Sequence, residues 1–479
     1  MDPDSHKRRR GEFDSMDSLL QPLCTVIVKR KRKRPIATTT SINDLPDCVL
    51  MEILAPLSLP TVVLHCKWVS KRWFSLISTP CFARRFITLH PHVHHPFSLI
   101  FYYPDCHINR RLLVTTNSES ESESESESES ELKSLAAYLH NKCDPNTSSL
   151  QACCNDLLLC RVKRVQQHCP PINMVSYSII NPISRQCLAL PPRLVPPFPP
   201  HGFLDIRLGI ICSYDYNNDK QVQLSSSFRV VLIPWSRTKF TTKFKVHVFS
   251  SDTGEWSDSV VLCPPNLYGF NFSIIALPTI PYKGFLFWSI DGGHLLGFDP
   301  YNSASCVIEK PVQLEQGRNL DCLGLCHGCL RTSQVSGSPH CNEHPCLRIW
   351  DLVGFDNNNN NNNGGGAGAG TGGKWCLKHE LYFNQMVSEK SPWLTQYVTT
   401  MFPSVSVLAF HPNDANVVYL MIQSKVVFCN LQSRTLEVFC HVPQREHAHY
   451  FTYHPLSFVL PSWPTPIPSV RDAIADYPQ

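Results

Sequence analysis

Hydrophobic and polar positions along this chain change period once. Near the N-terminus, Val49, Leu50, Ile53, Leu54 and Leu57 fall at i, i+1, i+4, i+5 and i+8, one apolar face of a 3.6-residue helix. Pro46 sits where a first-turn proline is tolerated, and Asp44 is close enough to cap that helix. A second stripe, Val69, Trp73, Leu76 and Ile77, keeps the same period and ends at Pro80, which cannot continue a helix. Between the two, Pro60 opens a short helix bearing Val62, Val63 and Cys66. From Leu150 onward the pattern turns to short runs rich in Val, Ile, Phe and Tyr, separated by Pro, Gly, Asn and Asp. VSYSIINP, FRVVLIPW, KFKVHVFSSDTGEW, GFLFWSIDGGHLLGFDP, CLRIWDL, VVYLMI and KVVFCNL are examples, and they predict an all-β region. About 300 residues of such runs exceed a simple sandwich, whereas radial blades lengthen a sheet system without long edges, so a propeller fits better.

Three short helices total about 40 residues, too few to bury enough surface alone, so their apolar faces need a partner. Within Asn43 to Phe86 the order LP, EIL, VSKRW and LISTPCF resembles the F-box family. The resemblance implies docking on the Skp-type adaptor of a cullin-based ubiquitin ligase. It makes Leu45, Pro46, Ile53, Leu54, Val69, Trp73, Leu76 and Ile77 a mixture of internal core and adaptor contact. This chain differs from many members in placing Ser58, not proline, directly after Leu57, with Pro56 interrupting the first helix. The later strings NDLLLCR, YSIINPISRQCLALPP, FKVHVFSSDTGEW, GFLFW, LLGFDP, LRIWDL and HPNDANVVYL resemble the F-box-associated, Kelch-related β domain of plant F-box proteins. There Gly254 would allow a tight hairpin, Trp256 would pack between blades, and Pro191 and Pro192 would end a strand.

The expected architecture is therefore α+β multidomain, an N-terminal three-helix F-box followed by an all-β propeller-like domain. Residues 1–40 read as a basic tail, 41–88 as the F-box, and 89–149 as a connection. The β domain would run over 150–460, with 461–479 as a C-terminal tail. SLIFYY, beginning at Ser98, reads as a first strand of the β domain. The strict Ser-Glu alternation of Ser118 to Glu131 cannot bury apolar surface and must stay solvated.

Charge adds an address. The 479 residues carry a formal net charge of only +4, but KRRR at Lys7 to Arg10 and the run Lys29, Arg30, Lys31, Arg32, Lys33 and Arg34 concentrate it near the N-terminus. Such runs read as nuclear localisation signals or nucleic-acid patches. No apolar segment matches a secretory signal or a membrane helix, which predicts a nuclear or cytoplasmic protein without a membrane partner. Its 22 cysteines would then be reduced thiols, and the sequons at Asn146 and Asn271 idle.

Two segments raise the question of chemistry. Asn357 to Gly373 with Lys374 contains both GxGxxG, at Gly368, Gly370 and Gly373, and GxxxxGK. A phosphate loop needs a following helix and a Ser or Thr for magnesium, whereas Trp375 stands in that position and WCLKHELYF reads as a strand. An inter-strand loop is the expectation. Cys322, Cys326, His327, Cys329, His340, Cys341, His344 and Cys346 offer soft ligands, but Cys-x3-Cys-x2-Cys matches no paired knuckle, and buried thiols with loop histidines are expected. With no GxSxG elbow, HExxH helix or paired carboxylates, neither catalysis nor a metal or other cofactor is expected. The favoured function is the non-catalytic substrate receptor of an SCF-type ubiquitin ligase, binding the adaptor, its cullin scaffold and a target protein. The alternative is a nuclear nucleic-acid-binding or scaffold protein that uses the basic tail.

Overall fold

The computed structural model describes residues 41–59, 61–90, 97–102, 112–116, 137–139, 141–142, 148–162, 174–194, 204–215, 224–236, 243–262, 272, 277–314, 320–336, 344–355, 373–400, 404–441, 455–459, 461 and 463–467. It divides into two compact units, one ending at Leu89 and the other beginning at His90. Both basic runs and the Ser-Glu tract fall outside the described residues. No described helix is long and apolar enough to cross a membrane.

The first unit is helical. Its long elements are α1 (Asp47–Leu54), α2 (Lys71–Ile77) and α3 (Pro80–Leu89). The periodic stripes bury Leu50 and Leu54 of α1 and Trp73, Leu76 and Ile77 of α2. Two local expectations differ from what is observed. Pro46 is the N-cap of α1, not a first-turn residue, and the Asp44 carboxylate accepts from Ser41 N to close the turn Ile42–Asp44 rather than capping α1. The segment after Pro60 forms a π-helical turn, Thr61–His65, running into a 3-10 turn, Cys66–Trp68. The stop expected at Pro80 holds, since α2 ends at Ile77, but the same proline is also a start. It opens α3, where its missing N–H costs nothing because first-turn amides have no intrahelical acceptor; Phe82, Ala83 and Phe86 of α3 are buried.

The second unit is a β-propeller. Its first blade contains β3 (Ser148–Cys154), β4 (Leu157–Val162), β5 (Met174–Asn181) and β6 (Gln186–Ala189), plus β7 (Arg193–Leu194), which also pairs with β5. The second contains β8 (Leu204–Asp215), β9 (Leu224–Ser236), β10 (Lys243–Ser250) and β11 (Trp256–Leu262). The third contains β12 (Ile280–Tyr282), β13 (Phe285–Ser289), β14 (Leu295–Asp299) and β15 (Ala304–Ile308). The fourth contains β16 (Cys322–Cys326), β17 (Cys329–Ser336), β18 (Cys346–Val353) and β19 (Lys374–Tyr382). The fifth contains β20 (Val405–Phe410), β21 (Val417–Ile422), β22 (Lys425–Asn430) and β23 (Thr435–His441). Within each blade the described strands pair antiparallel between sequence neighbours, apart from the extra contact of β7, and one isolated parallel bridge joins Val387 to Thr435 of β23.

A three-stranded sheet completes the ring. In it β1 (Phe97–Tyr102), the strand expected at SLIFYY, pairs on one side with β2 (Leu112–Thr116) and on the other with β24 (Leu456–Val459). The two ends of the unit are thus hydrogen-bonded together. Packing confirms closure: Phe97 and Leu99 of β1 join the fifth blade's core, while Ile100 joins that of the first. Elsewhere each blade shares one core with the next, and central strands are buried on both faces. In β13, Leu286 and Trp288 face the second blade, and Phe285 and Phe287 the fourth. Indoles stitch the blades with hydrogen bonds. Trp256 Nε1 donates to Pro191 O at 2.9 Å and Trp375 Nε1 to Glu309 O at 2.8 Å. A short helix, α4 (Pro392–Val398), lies between the fourth and fifth blades in sequence and buries Leu394 and Val398 in their shared core.

The hairpin joining the third and fourth strands of a blade recurs in one form. Its first residue accepts two backbone amides through a side-chain oxygen, and the residue four places on has positive φ. Asn181 with Arg185, Ser250 with Gly254, Asp299 with Ser303 and Asn430 with Arg434 follow this plan. Each is a side-chain turn that substitutes for a missing backbone partner. In the fourth blade this hairpin carries the asparagine and glycine tract, bracketed by paired Val353 and Lys374. Replacing residues 356–372 by a five-residue turn of the recurrent type should change propeller stability by less than about 1 kcal/mol, because closure entropy grows slowly with loop length. Chemical denaturation checks this, and a larger loss would mean that the tract is packed.

Candidate partner-binding surface of the helical unit

Of the residues that the family resemblance assigns to core or adaptor contact, the structure separates two groups. Leu54, Trp73, Leu76 and Ile77 are buried within the helical unit, with Trp73 only 1% exposed. Pro46 and Val69 are exposed, and Leu45 and Ile53 are half-buried. Val69 precedes α2 instead of joining its buried stripe: Ser70 caps the helix by accepting from Trp73 N at 3.2 Å, so the helical period begins after Val69.

Two residues outside the stripes enlarge the exposed apolar surface. Trp68 is 67% exposed and Phe74 41% exposed, with ring centroids 6.1 Å apart. Lys67 Nζ sits 5.0 Å from the Phe74 ring centre, and burial pushes the Lys67 pKa down. Val49 on α1 is also exposed. A folded unit seldom leaves two large aromatic side chains side by side in water unless they serve an interface. The only sequence signal for them was negative: Trp68 and Phe74 are large apolar residues that fit no buried stripe.

Arginines hold the frame beneath this surface. Arg72 of α2 donates from Nε to Asp47 Oδ1 at 2.8 Å and from its other nitrogens to the carbonyls of Asn43 and Leu45, tying the chain before α1 to α2. Arg85 of α3 makes two bonds to Glu52 of α1, at 2.8 and 2.6 Å. Hydrogen bonding from Arg85 lowers the Glu52 pKa. Arg72→Ala should loosen residues 41–46, at about 1 to 2 kcal/mol, since two carbonyls and a carboxylate lose their donor together. Amide hydrogen exchange confined to that segment is the measurement, and unchanged protection there would count against the assignment.

The cysteine and histidine cluster of the sequence does not assemble. Cys326 and Cys329 pair across the turn His327–Gly328 at one end of the fourth blade, whereas Cys346 pairs with Ser336 at the other end. Cys322 lies four residues from Cys326 along an extended strand, or about 13 Å. Burial pushes the Cys326 thiol up to about 11 and that of Cys322 further, which suits packing and opposes metal ligation. His340 and Cys341 lie outside the described residues. Among the described residues no group of three or more Cys, His, Asp or Glu side chains is placed to hold a metal. The glycine-rich run also lacks a phosphate loop's setting, since Lys374 starts a strand that pairs back on β18.

The fold defines the class, a β-propeller preceded in the chain by a helical unit with an exposed aromatic pair. Residues 113–455 match the family described as F-box protein At3g26010-like, beta-propeller; that is well over half of the chain, and the chain belongs to this family. No curated protein matches it. Similar solved structures include the Mitotic Checkpoint Complex, at 10% identity and TM-score 0.29, covering 60% of this chain and 62% of that one. The complex of KlAtg21 with the coiled-coil of AgAtg16 is similar at 10% identity and TM-score 0.30, covering 62% of this chain and 70% of that one. Saccharomyces cerevisiae Sqt1 has 10% identity and TM-score 0.27, covering 66% of this chain and 82% of that one. The chain thus spans less than two thirds of the first of these, and such low scores carry no functional argument.

Proposed function

We propose that residues 41–89 are an F-box that docks on a Skp-type adaptor of a cullin-based ubiquitin ligase, and that the propeller holds the target protein. The observation that carries this reading is the pairing of a propeller belonging to an F-box-protein family with a preceding helical unit that exposes Trp68 and Phe74. The chain's role is proximity: a target held beside the ubiquitin-charged enzyme presents its lysines at high effective concentration, so no catalytic residue is required of this chain. Pro46, Val69, Trp68 and Phe74 would form the contact, with Leu45 and Ile53 at its margin.

Two double variants test the adaptor contact, Leu45→Ala with Pro46→Ala and Trp68→Ala with Phe74→Ala. Each should weaken capture of a purified Skp-type adaptor by about 30-fold or more, the loss typical of an interface anchor. Capture at the wild-type level by both would reject the reading, and salt-sensitive binding to nucleic acid in its place would favour a scaffold role. We further assign nuclear import to the basic run Lys29–Arg34. An unaltered nuclear fraction after its replacement by alanines would remove that assignment.

A further inference from the structure

The second blade carries a surface that packing among the described residues leaves bare. The side of β10 and β11 that faces the first blade bears Lys243, Lys245, His247 and Phe249 on β10, and Trp256, Asp258, Val260 and Leu262 on β11. Contact with the first blade closes one end of this face. There Phe249 and Trp256 pack 5.5 Å apart against the shared core, and Arg193 of β7 binds Asp258 and approaches His247 Nδ1 at 2.9 Å. The first blade's outer edge is broken at Pro191 and Pro192 into the short strands β6 and β7, and past Asp258 no described residue of that edge covers the face. Val260 and Leu262 are 63% and 60% exposed there.

Register turns these four side chains into two rows. Lys245 lies opposite Val260 and Lys243 opposite Leu262. Along each strand the repeat on one face is about 6.8 Å, and across the pair it is about 5 Å. A row of two ammonium groups therefore runs parallel to a row of two aliphatic side chains. Neither lysine has an ion-pair partner among the described residues, and the single carboxylate on the face, Asp258, is already taken by Arg193. Lysines on an edge strand commonly guard it against unwanted pairing. Here they stand on β10, inside the edge, and it is the edge strand β11 that shows aliphatic side chains.

We propose that this face binds an extended acidic segment of the target protein in which acidic and aliphatic residues alternate. Successive side chains of an extended chain point to opposite sides at the same repeat as the two rows, so one side would present carboxylates to Lys243 and Lys245 and the other aliphatic groups to Val260 and Leu262. The alternation matches charge to charge and apolar group to apolar group. A nucleic-acid strand fits less well, because its bases stack on aromatic side chains and the exposed part of this face has none. The inference rests on the receptor reading for its occupant, but its test is separate.

The test uses the full chain and a fluorescein-labelled peptide that alternates glutamate with valine and leucine, read by fluorescence anisotropy. The peptide should bind at least about tenfold more tightly than one with lysine in place of glutamate, and added salt should weaken it. Lys243→Glu with Lys245→Glu should reduce binding about tenfold or more, as should Val260→Asp with Leu262→Asp. Lys374→Glu with Lys378→Glu, on the edge strand of the fourth blade, should leave it unchanged. No binding to the wild-type chain, equal binding by the folded Lys243/Lys245 variant, or displacement by a single-stranded oligonucleotide that depends on the same lysines would overturn the proposal. Adaptor capture measured on the same proteins separates the two ideas: lost peptide binding with normal capture rejects this surface alone, and normal peptide binding without capture rejects the receptor reading alone.

Discussion

Trp73→Ala should unfold the helical unit while leaving the propeller intact. Trp73 is the largest buried side chain of that unit and lies on the inner side of α2 with Leu76 and Ile77. Truncating a buried tryptophan costs about 3 to 5 kcal/mol, through lost transfer free energy and the cavity left behind. A unit of about 50 residues has only some 3 to 7 kcal/mol of stability, so the substitution removes most or all of it. Residues 41–89 should become sensitive to protease, and adaptor capture should disappear with them. The propeller, with its own closed ring of cores, should unfold at its usual denaturant concentration. Trp73→Phe should be milder, because the Trp73 Nε1 has no hydrogen-bond partner among the described residues and its removal breaks no bond there. A Trp73→Ala protein that resists protease over residues 41–89 and captures the adaptor normally would show that this side chain does not hold the unit together. Trp68→Ala with Phe74→Ala makes the contrast, since those exposed rings should affect capture without unfolding.

Periodicity made much of this architecture legible. Buried positions Leu50, Leu54, Trp73, Leu76 and Ile77 follow the 3.6-residue stripes, and strands such as Phe285–Ser289 and Val417–Ile422 are where apolar runs stand between turn residues. What stayed hidden required tertiary information. The stop expected at Pro80 holds for α2, but the start of α3 at the same proline was not legible, since a proline permits either and packing of Phe82 and Phe86 decides. Strand β19 shows why alternation alone misassigns faces. Trp375 and Leu377 pack toward the third blade, whereas Leu381, of the same parity, packs toward the fifth, because the register shifts between Leu377 and His379. A bulge moves every later side chain to the opposite face, and nothing in WCLKHELYF marks it. The recurrent hairpin escaped for another reason. Asn181, Ser250, Asp299 and Asn430 do one job with different side-chain oxygens, so the repeat is geometric before it is chemical. In the helical unit, Trp68 and Phe74 lie outside the periodic stripes because such stripes mark cores, and an interface is made from apolar residues that the core does not need.

Within the propeller, a loss of comparable size should come from Asp351→Ala. Asp351 of β18 accepts two bonds from Arg331 of β17, from Nε at 2.7 Å and from the second guanidinium branch at 3.1 Å. Arg331 also donates to Ala415 O at 2.8 Å and lies 5.8 Å from the ring centre of Phe410, so the pair joins the fourth blade to the fifth. Both residues are buried. Removing only the carboxylate leaves a desolvated guanidinium without its counter-charge, a loss of about 3 to 5 kcal/mol. Arg331→Met should cost less, because a carboxylate at the rim of the pair regains water more readily than the deeper guanidinium. The double substitution Arg331→Met with Asp351→Leu should be less destabilising than Asp351→Ala, since apolar groups of similar volume remove both desolvation penalties at once. Denaturant midpoints for the three proteins decide the matter. If Asp351→Ala falls within about 1 kcal/mol of the wild type, water reaches the guanidinium and the bond to Ala415 is what holds the blades. If instead the double variant is the least stable of the three, the pair contributes more than its desolvation removes, and the junction between the fourth and fifth blades depends on charge rather than packing.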